Sequence, residues 1–197
     1  MKVDKTLASL IDRVGPCAWK PAKRRAPYEA LVQSVAYQQL NGTAAATIFR
    51  RFKELYPKGA FPTPEAILAI SDERLRSAGL SRAKVAAIKD IAAKTVEGIV
   101  PTSRLIARLE SEEIISRLTT IRGVGPWTVE MLLIFKLGRL DILPTTDYGV
   151  RKGFSVTYGL KELPTPAELL GHGEIWRPYR TVASWYLWRA LDIQVPE

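Results

Sequence analysis

Apolar residues recur at the 3.6-residue spacing of amphipathic helices along almost the whole sequence, and stretches that alternate as β-strands do are scarce. The spacing predicts helices over residues 6–14, 28–38, 43–55, 81–100, 111–121, 128–137, 148–159 and 176–192, with shorter ones between them. Ser111 is the expected cap of the helix that follows it. No internal repeat, low-complexity tail or flexible linker interrupts the pattern, so we predict one all-α domain over residues 1–197.

The charge balance indicates what kind of partner the protein has. The chain contains 29 Lys and Arg against 20 Asp and Glu, a formal net charge of +9. An excess of this size favours a polyanionic partner, with nucleic acid ahead of an anionic membrane surface. Charge alone is also compatible with a basic protein that has no such partner.

No apolar run is long enough to span a bilayer, and charges interrupt the apolar residues of the N-terminal segment, which is typical of an amphipathic helix rather than a signal peptide. We therefore expect a monomer in the cytoplasm or nucleoid. Cys17 and His172 are the only residues of their kinds. They offer neither a disulfide framework nor a cysteine-ligated metal cluster, so we expect no catalytic cofactor.

The segment IRGVGPWTVE, residues 121–130, is an unusual connection between two helices. Gly123 and Gly125 permit positive φ and leave no Cβ between the backbone and an approaching molecule. Amide groups of Gly123, Val124 and Gly125, with the Thr128 hydroxyl, are therefore candidate donors to a DNA phosphate. The alternative is a plain turn between helices, in which the glycines only relieve a steric conflict.

Residues 119–154, TTIRGVGPWTVEMLLIFKLGRLDILPTTDYGVRKGF, resemble the helix–hairpin–helix/Gly-Pro-Asp superfamily of base-excision DNA glycosylases. Gly125, Pro144 and Asp147 lie where its signature has glycine, proline and aspartate. Residues 28–52 and 176–188 are similar to its alkylation-repair branch, the 3-methyladenine DNA glycosylase II (AlkA-like) proteins, and the resemblance extends over about residues 5–192.

This resemblance implies a particular all-α architecture. It has two helical lobes, a helix–hairpin–helix motif and an active-site cleft between the lobes. The central lobe is expected at about residues 30–140, and the N-terminal segment and C-terminal helices form the second. The extra N-terminal β domain of some relatives is not expected.

Asp147 is the catalytic carboxylate that the resemblance implies. Judged by its position alone, it is an ordinary helix cap. Cleavage of an N-glycosidic bond develops positive charge on the deoxyribose, and a carboxylate beneath the sugar stabilises that charge. The sequence leaves open whether Asp147 also deprotonates the attacking water. Asp141 lies upstream of the catalytic position.

Trp127 occupies the position where some members of the superfamily carry a lysine that attacks the sugar and forms a Schiff base. An indole has no amine for that attack. We therefore predict a monofunctional enzyme that removes the base and leaves an abasic site.

Aromatic residues are the candidate walls of the pocket for the flipped base. The resemblance assigns Trp127, Met131 and Trp188 to it, and we add Trp185 and Tyr37 as further candidates. Core packing is the alternative for each. Alkylated bases carry positive charge and are attracted to electron-rich rings, and they leave without a general acid. Many relatives have an aromatic residue at Met131, which leaves the substrate range open.

Three further expectations concern contacts with DNA. Gln39, with Leu40 beside it, matches the wedge, the side chain that relatives insert into the gap left by the flipped base. The alternative is a glutamine that ends a helix. Arg151, Lys152 and the basic run at 20–25 are candidate phosphate contacts, although a charge run is more often solvated. In relatives, hairpin carbonyls bind a monovalent cation, Na⁺ or K⁺, and Thr119, Ile121 and Val124 match those positions.

Together these features predict a DNA glycosylase of base excision repair that acts on double-stranded DNA containing alkylated bases such as 3-methyladenine and 7-methylguanine. Two alternatives remain open. One is a glycosylase for deaminated or oxidised bases, and the other is a non-catalytic helix–hairpin–helix DNA-binding protein, which would not need Asp147, the wedge or the pocket tryptophans.

Overall fold

The computed structural model describes residues 4–21, 26–57 and 61–193, and it contains helices but no β-strand within these ranges. The predicted all-α fold is confirmed. Residues 22–25, the larger part of the basic run at 20–25, lie outside the described residues, so that expectation stays a prediction. Within the described part of the chain, no helix is long and apolar enough to cross a membrane.

The helices follow the predicted order. They are α1 Lys5–Val14, α2 Pro27–Tyr37, α3 Gly42–Glu54, α4 Pro64–Ala69, α5 Asp72–Ser77, α6 Arg82–Val96, α7 Ser103–Ile106, α8 Ser111–Leu118, α9 Pro126–Leu132, α10 Tyr148–Tyr158, α11 Pro166–Gly173 and α12 Arg180–Ile193. A π-helical turn, Leu133–Leu137, follows α9 directly, and a 3₁₀ turn, Glu174–Trp176, follows α11.

Two local predictions need correction. Ser111 is the first residue of α8 rather than its cap, because the extended backbone before the helix belongs to Glu110. The predicted helix over 128–137 instead begins at Pro126 and changes to π geometry at Leu133. Proline suits a first helical position because it has no N–H to leave unsatisfied there.

The chain divides into two compact units. The central unit is Lys23–Leu132, compared with the predicted central lobe of about 30–140. Within it, α2 packs on α3, α6 and α9, α4 and α5 pack on α6, and α8 packs on α9. Its fully buried side chains are those that give the helices their apolar periodicity and include Leu31, Phe52, Ile67, Ile88, Ile91, Ile114 and Leu118.

The terminal unit combines Met1–Ala22 with Leu133–Glu197. Helices α1, α10 and α12 pack on one another, and α11 packs on α10. The buried core includes Leu10, Val150, Phe154, Leu169, Trp176, Tyr186 and Leu187. This core is the support on which α10 and α12 hold Asp147 and Trp188.

Asp4 fastens α1 within the terminal unit. One oxygen accepts from the amides of Thr6 and Leu7 as the helix cap. The other oxygen is near three polar side chains, those of Tyr158, His172 and Trp176. Burial raises the pKa of Asp4, but the hydrogen bonds outweigh it and lower the pKa to about 2. The single histidine is therefore part of a packed polar cluster.

Candidate active site

The hairpin between α8 and α9 is shaped by Gly123. Its φ of 74° lies in the left-handed region, and a Cβ there would be 2.9 Å from the Cβ of Ala87 on α6. The Val124 amide donates to the Ile121 carbonyl, 3.1 Å away, and closes the turn. Internal sterics therefore account for the first glycine of the GVG segment.

Internal sterics do not account for the second glycine. Gly125 is exposed, has no left-handed φ, and a Cβ built on it has no neighbouring atom within 4 Å. A larger residue would fit the hairpin itself. What the missing side chain leaves open is the outer surface of the backbone, where another molecule can approach closely.

Two long-range side-chain hydrogen bonds fix the hairpin within the central unit. An oxygen of Asp90 on α6 accepts from the Arg122 amide at 2.7 Å, and the Gln38 amide nitrogen donates to the Gly123 carbonyl at 3.1 Å. Neither residue was identified from the sequence. Asp90 lies in a lysine-containing helix that is typical of a solvated surface, and no motif distinguishes Gln38 from its neighbour.

Two of the expected hairpin donors, the Thr128 hydroxyl and the Val124 amide, have hydrogen-bond partners within the central unit. Thr128 is only 4% exposed, and its hydroxyl lies 3.3 Å from the Gln38 amide nitrogen, which donates to it. The hydroxyl accepts this bond and keeps its own hydrogen, so its contact with a phosphate stays a prediction. The Val124 amide is likewise committed to the turn. Of the four candidate donors, Gly123 and Gly125 are the exposed residues.

An open concavity of about 720 Å³ lies beside the hairpin in the central unit. It brings together six of the predicted site residues. Its lining residues are Ser34, Tyr37, Gln38, Gln39, Leu40, Trp127, Thr128 and Met131. Trp127 is 44% exposed, which is unusual for a large aromatic side chain that only fills a core. Shape and lining suit the binding of a flat ring.

Gln39 stands at the rim of this concavity in a strained conformation. Its φ is 56°, the left-handed region that non-glycine residues rarely adopt, and its side chain is exposed. The end of α2 just before it is held by Lys84, whose ammonium donates to the Ala36 carbonyl at 2.8 Å. Partial burial lowers the pKa of Lys84. Strain that the surroundings maintain in this way is common at functional sites.

Asp147 lies in the terminal unit as the cap of α10. Its Oδ1 accepts from the Val150 amide at 2.8 Å and from the indole Nε1 of Trp188 at 2.9 Å. The Asp147 amide itself donates to the Pro144 carbonyl at 3.0 Å, which closes the turn before the helix. The capping interpretation and the catalytic one are therefore compatible, because capping fixes the direction of the carboxylate.

Trp188 contacts the Asp147 carboxylate, and its place in the base pocket stays a prediction. Its ring stacks on Phe135 of the π-helical turn, with centroids 5.7 Å apart and planes at 28°. Trp185, three residues earlier on α12, packs edge-on against Tyr186 and lies near the Arg189 guanidinium. The place of Trp185 in a base pocket stays a prediction.

Other charged residues of the terminal unit stabilise its fold. Asp141 accepts from buried Arg180 at 2.7 Å and from Arg177 at 2.7 Å. Burial opposes ionisation of Asp141, but these arginines lower its pKa. The Arg151 guanidinium donates to the Pro164 carbonyl at 2.8 Å. This bond uses one of the five guanidinium donors, and Lys152 is exposed, so both predicted phosphate contacts stay predictions.

The chain is helical and contains a glycine hairpin. After a turn that begins at Pro144, Asp147 caps a helix and accepts a hydrogen bond from a tryptophan. These are features of a base-excision repair protein. The model of the family described as "HhH-GPD superfamily base excision DNA repair protein" matches residues 32–178. The protein belongs to this superfamily. The match covers the turn at Gln39, the hairpin and Asp147.

The relatives named for alkylation repair confirm the predicted branch. The chain is 44% identical over 189 residues to DNA-3-methyladenine glycosylase 1 of Schizosaccharomyces pombe, covering 96% of this chain and 82% of that protein. The solved structure of an S. pombe 3-methyladenine DNA glycosylase with abasic DNA aligns with a TM-score of 0.84 at 43% identity, over 95% and 91% of the two chains. A Bacillus halodurans DNA-3-methyladenine glycosidase gives 0.85 at 36% identity, over 95% and 84%.

Proposed function

We propose that this protein is a monofunctional DNA glycosylase of base excision repair. It hydrolyses the N-glycosidic bond of an alkylated base flipped out of double-stranded DNA and leaves an abasic site. The observation that carries the proposal is the Asp147 carboxylate, oriented by the Val150 amide and the Trp188 indole. The 44% identical relative, named a 3-methyladenine glycosylase, supports the choice of substrate class.

The chemistry assigned to Asp147 is electrostatic. As the bond to the base breaks, positive charge develops on the deoxyribose, and a carboxylate fixed near it stabilises the transition state more than the ground state. The two hydrogen bonds to Oδ1 hold one side-chain conformation, so little reorganisation is needed during reaction. The same carboxylate is the group that orients or deprotonates the attacking water.

The substrate class follows from the lining of the concavity. None of its eight residues carries a carboxylate or an ammonium group, while Trp127 and Tyr37 offer aromatic rings and Met131 a polarisable thioether. A site of this kind favours a flat cationic base such as 7-methylguanine or 3-methyladenine. Such bases leave as neutral molecules, so protonation by the enzyme is not required.

The DNA contacts are assigned to the hairpin and to the wedge turn, which consists of Gln39 and Leu40. The exposed backbone around Gly125 approaches a phosphate, and exposed Lys152 adds charge. Exposed Gln39, with Leu40 beside it, fills the gap left by the flipped base. Chromosomal DNA as substrate corresponds to action in the cytoplasm or nucleoid.

A monovalent cation at the hairpin fits the donor set. Thr119, Ile121 and Val124 would contribute backbone carbonyls. The Ile121 carbonyl accepts from the Val124 amide and keeps a second lone pair, and the Thr119 hydroxyl is engaged with the Ile115 carbonyl. When bound, Na⁺ or K⁺ would add positive charge near the phosphate that the hairpin contacts.

One set of assays tests the function and its alternatives. Wild-type protein is incubated with duplexes that carry alkylated, deaminated or oxidised bases, and we expect fastest release of the alkylated ones. Asp147→Asn should lower excision at least about 100-fold while binding to an abasic-analogue duplex is retained. Fastest release of an oxidised or deaminated base would support the alternative substrate class, and no release of any base would leave the DNA-binding alternative.

Whether the enzyme forms a covalent adduct with the deoxyribose tests the monofunctional assignment. Because Trp127 replaces the lysine of bifunctional relatives, borohydride added during turnover should trap no protein–DNA adduct. Strand breaks should appear only after alkali or heat. A trapped adduct with the wild-type protein would overturn the assignment.

A further inference from the structure

We infer that Gln38 is a positioning residue for base flipping, which holds the wedge turn at Gln39 in register with the phosphate-binding hairpin. The inference rests on the proposed function of these two segments. It concerns the side-chain amide that joins them.

Gln38 is the point where α2 ends and the strained turn begins. Its backbone amide lies near the Ser34 and Val35 carbonyls as the C-cap of α2, and its own backbone is extended, with ψ at 134°. Gln39, the next residue, has the left-handed φ of 56°. A left-handed conformation is unfavourable for a non-glycine residue, so neighbouring contacts have to maintain it.

The side chain of Gln38 reaches the hairpin at both of its ends. Nε2 donates to the Gly123 carbonyl at 3.1 Å, before α9, and to the Thr128 hydroxyl at 3.3 Å, within α9. A carbonyl can only accept, so the amide has to present its nitrogen, and not its oxygen, to Gly123. The partners are 85 and 90 residues away in sequence.

The hydrogen bonds of Gln38 fix the distance between the turn at Gln39 and the hairpin. Gln39 must enter the base stack while the hairpin backbone contacts a phosphate, and both events need a fixed spacing between the turn and the hairpin. Lys84 holds the end of α2 but contacts the Ala36 carbonyl, not the hairpin. Gln38 also lines the concavity, so it connects the wedge, the hairpin and the pocket wall.

Gln38→Met tests the inference because methionine has a similar length but no amide donor. We expect kcat/KM on an alkylated duplex to fall about 10-fold, as for the loss of one to two hydrogen bonds. The preference for an abasic-analogue duplex over an undamaged one should fall by a similar factor, while thermal unfolding shows a folded protein. Thr128→Val removes one of the two acceptors and should give a smaller loss of both quantities, and it serves as the test if Gln38→Met does not fold.

A double-mutant cycle separates positioning from general packing. If Gln38 acts through the wedge, Gln38→Met should change the abasic preference less than twofold when Gln39 is already alanine. Equal effects of Gln38→Met in both backgrounds, or an unchanged abasic preference, would overturn the inference. Because this preference is measured by binding, it is independent of excision. A wild type that prefers abasic DNA but excises nothing would refute the proposed chemistry and still test the role of Gln38.

Discussion

Replacement of Trp188 by phenylalanine tests how the Asp147 carboxylate, to which we assign the chemistry, is held. Phenylalanine retains a ring that can stack on Phe135 but removes the Nε1 donor that lies 2.9 Å from Asp147 Oδ1. A hydrogen bond to a charged group contributes about 1.5–3 kcal/mol, which corresponds to about a 10- to 150-fold lower rate if the full contribution is lost in the transition state. We therefore expect Trp188→Phe to lower the excision rate by a factor in this range.

The loss should fall on the chemical step rather than on binding. The bond acts on the group that stabilises charge developing at the sugar, and that charge is absent from the bound duplex. Gly149→Ala offers a second route to the same defect, because a Cβ there would be 2.8 Å from Trp188 Cδ1 and 3.1 Å from Asp147 Oδ1. It keeps the indole but forces it away from the carboxylate.

Single-turnover excision of 7-methylguanine, with binding to an abasic-analogue duplex measured in parallel, gives the two quantities separately. Trp185→Phe is the matched comparison, since the same substitution three residues earlier leaves every described contact of Asp147 in place. We expect it to change the rate less than twofold. A Trp188→Phe rate within twofold of wild type, or a loss confined to affinity, would refute the positioning role.

Three further predictions concern the hairpin, the pocket and the fold. Gly125→Val should leave the free energy of unfolding within about 0.5 kcal/mol of wild type yet weaken binding to damaged and undamaged duplexes alike. Gly123→Ala, in contrast, should lower the free energy of unfolding by about 1–2 kcal/mol. A loss of binding by Gly125→Val that affects only damaged duplexes would contradict the phosphate role. Trp127→Ala should lower excision of 7-methylguanine about 10- to 30-fold and that of neutral hypoxanthine less, and equal losses would make Trp127 a general stacking surface. The depressed pKa of Asp4, about 2 against 3.8, should give about 2 kcal/mol of stability that is present above pH 3.8 and lost as the pH falls through about 2; the acid unfolding curve of Asp4→Asn should lack this component.

The helices could be predicted because the sequence repeats one signal along its length. Apolar residues at helical spacing become the buried faces of α2, α6 and α8. The hairpin glycines are visible in the sequence itself, whereas the role of Asp147 was implied by the resemblance to the superfamily signature, in which several residue types occur at fixed spacing. Such a signal lies within one short segment of sequence, so it needs no knowledge of tertiary contacts.

The partners of the site residues could not be predicted in this way. Trp188 and Asp147 are 41 residues apart, and Arg122 and Asp90 are 32 apart. No periodicity links such pairs, and a glutamine or aspartate at the surface of a helix has the same sequence signature with or without a partner. No sequence pattern predicted the π-helical turn at Leu133–Leu137, although this turn places Phe135 against Trp188.

The two glycines of the hairpin show how structure separates internal constraint from function. Gly123 is explained without reference to DNA, because its φ and its contact with Ala87 already exclude a side chain. Gly125 meets neither condition, so sterics within the fold give no reason for a glycine there. A residue type that the fold does not require, at an exposed turn of a basic protein whose superfamily repairs DNA, is best explained by the molecule that approaches it. The same comparison applies to Asp147, where capping accounts for an aspartate but not for the indole that donates to the same oxygen.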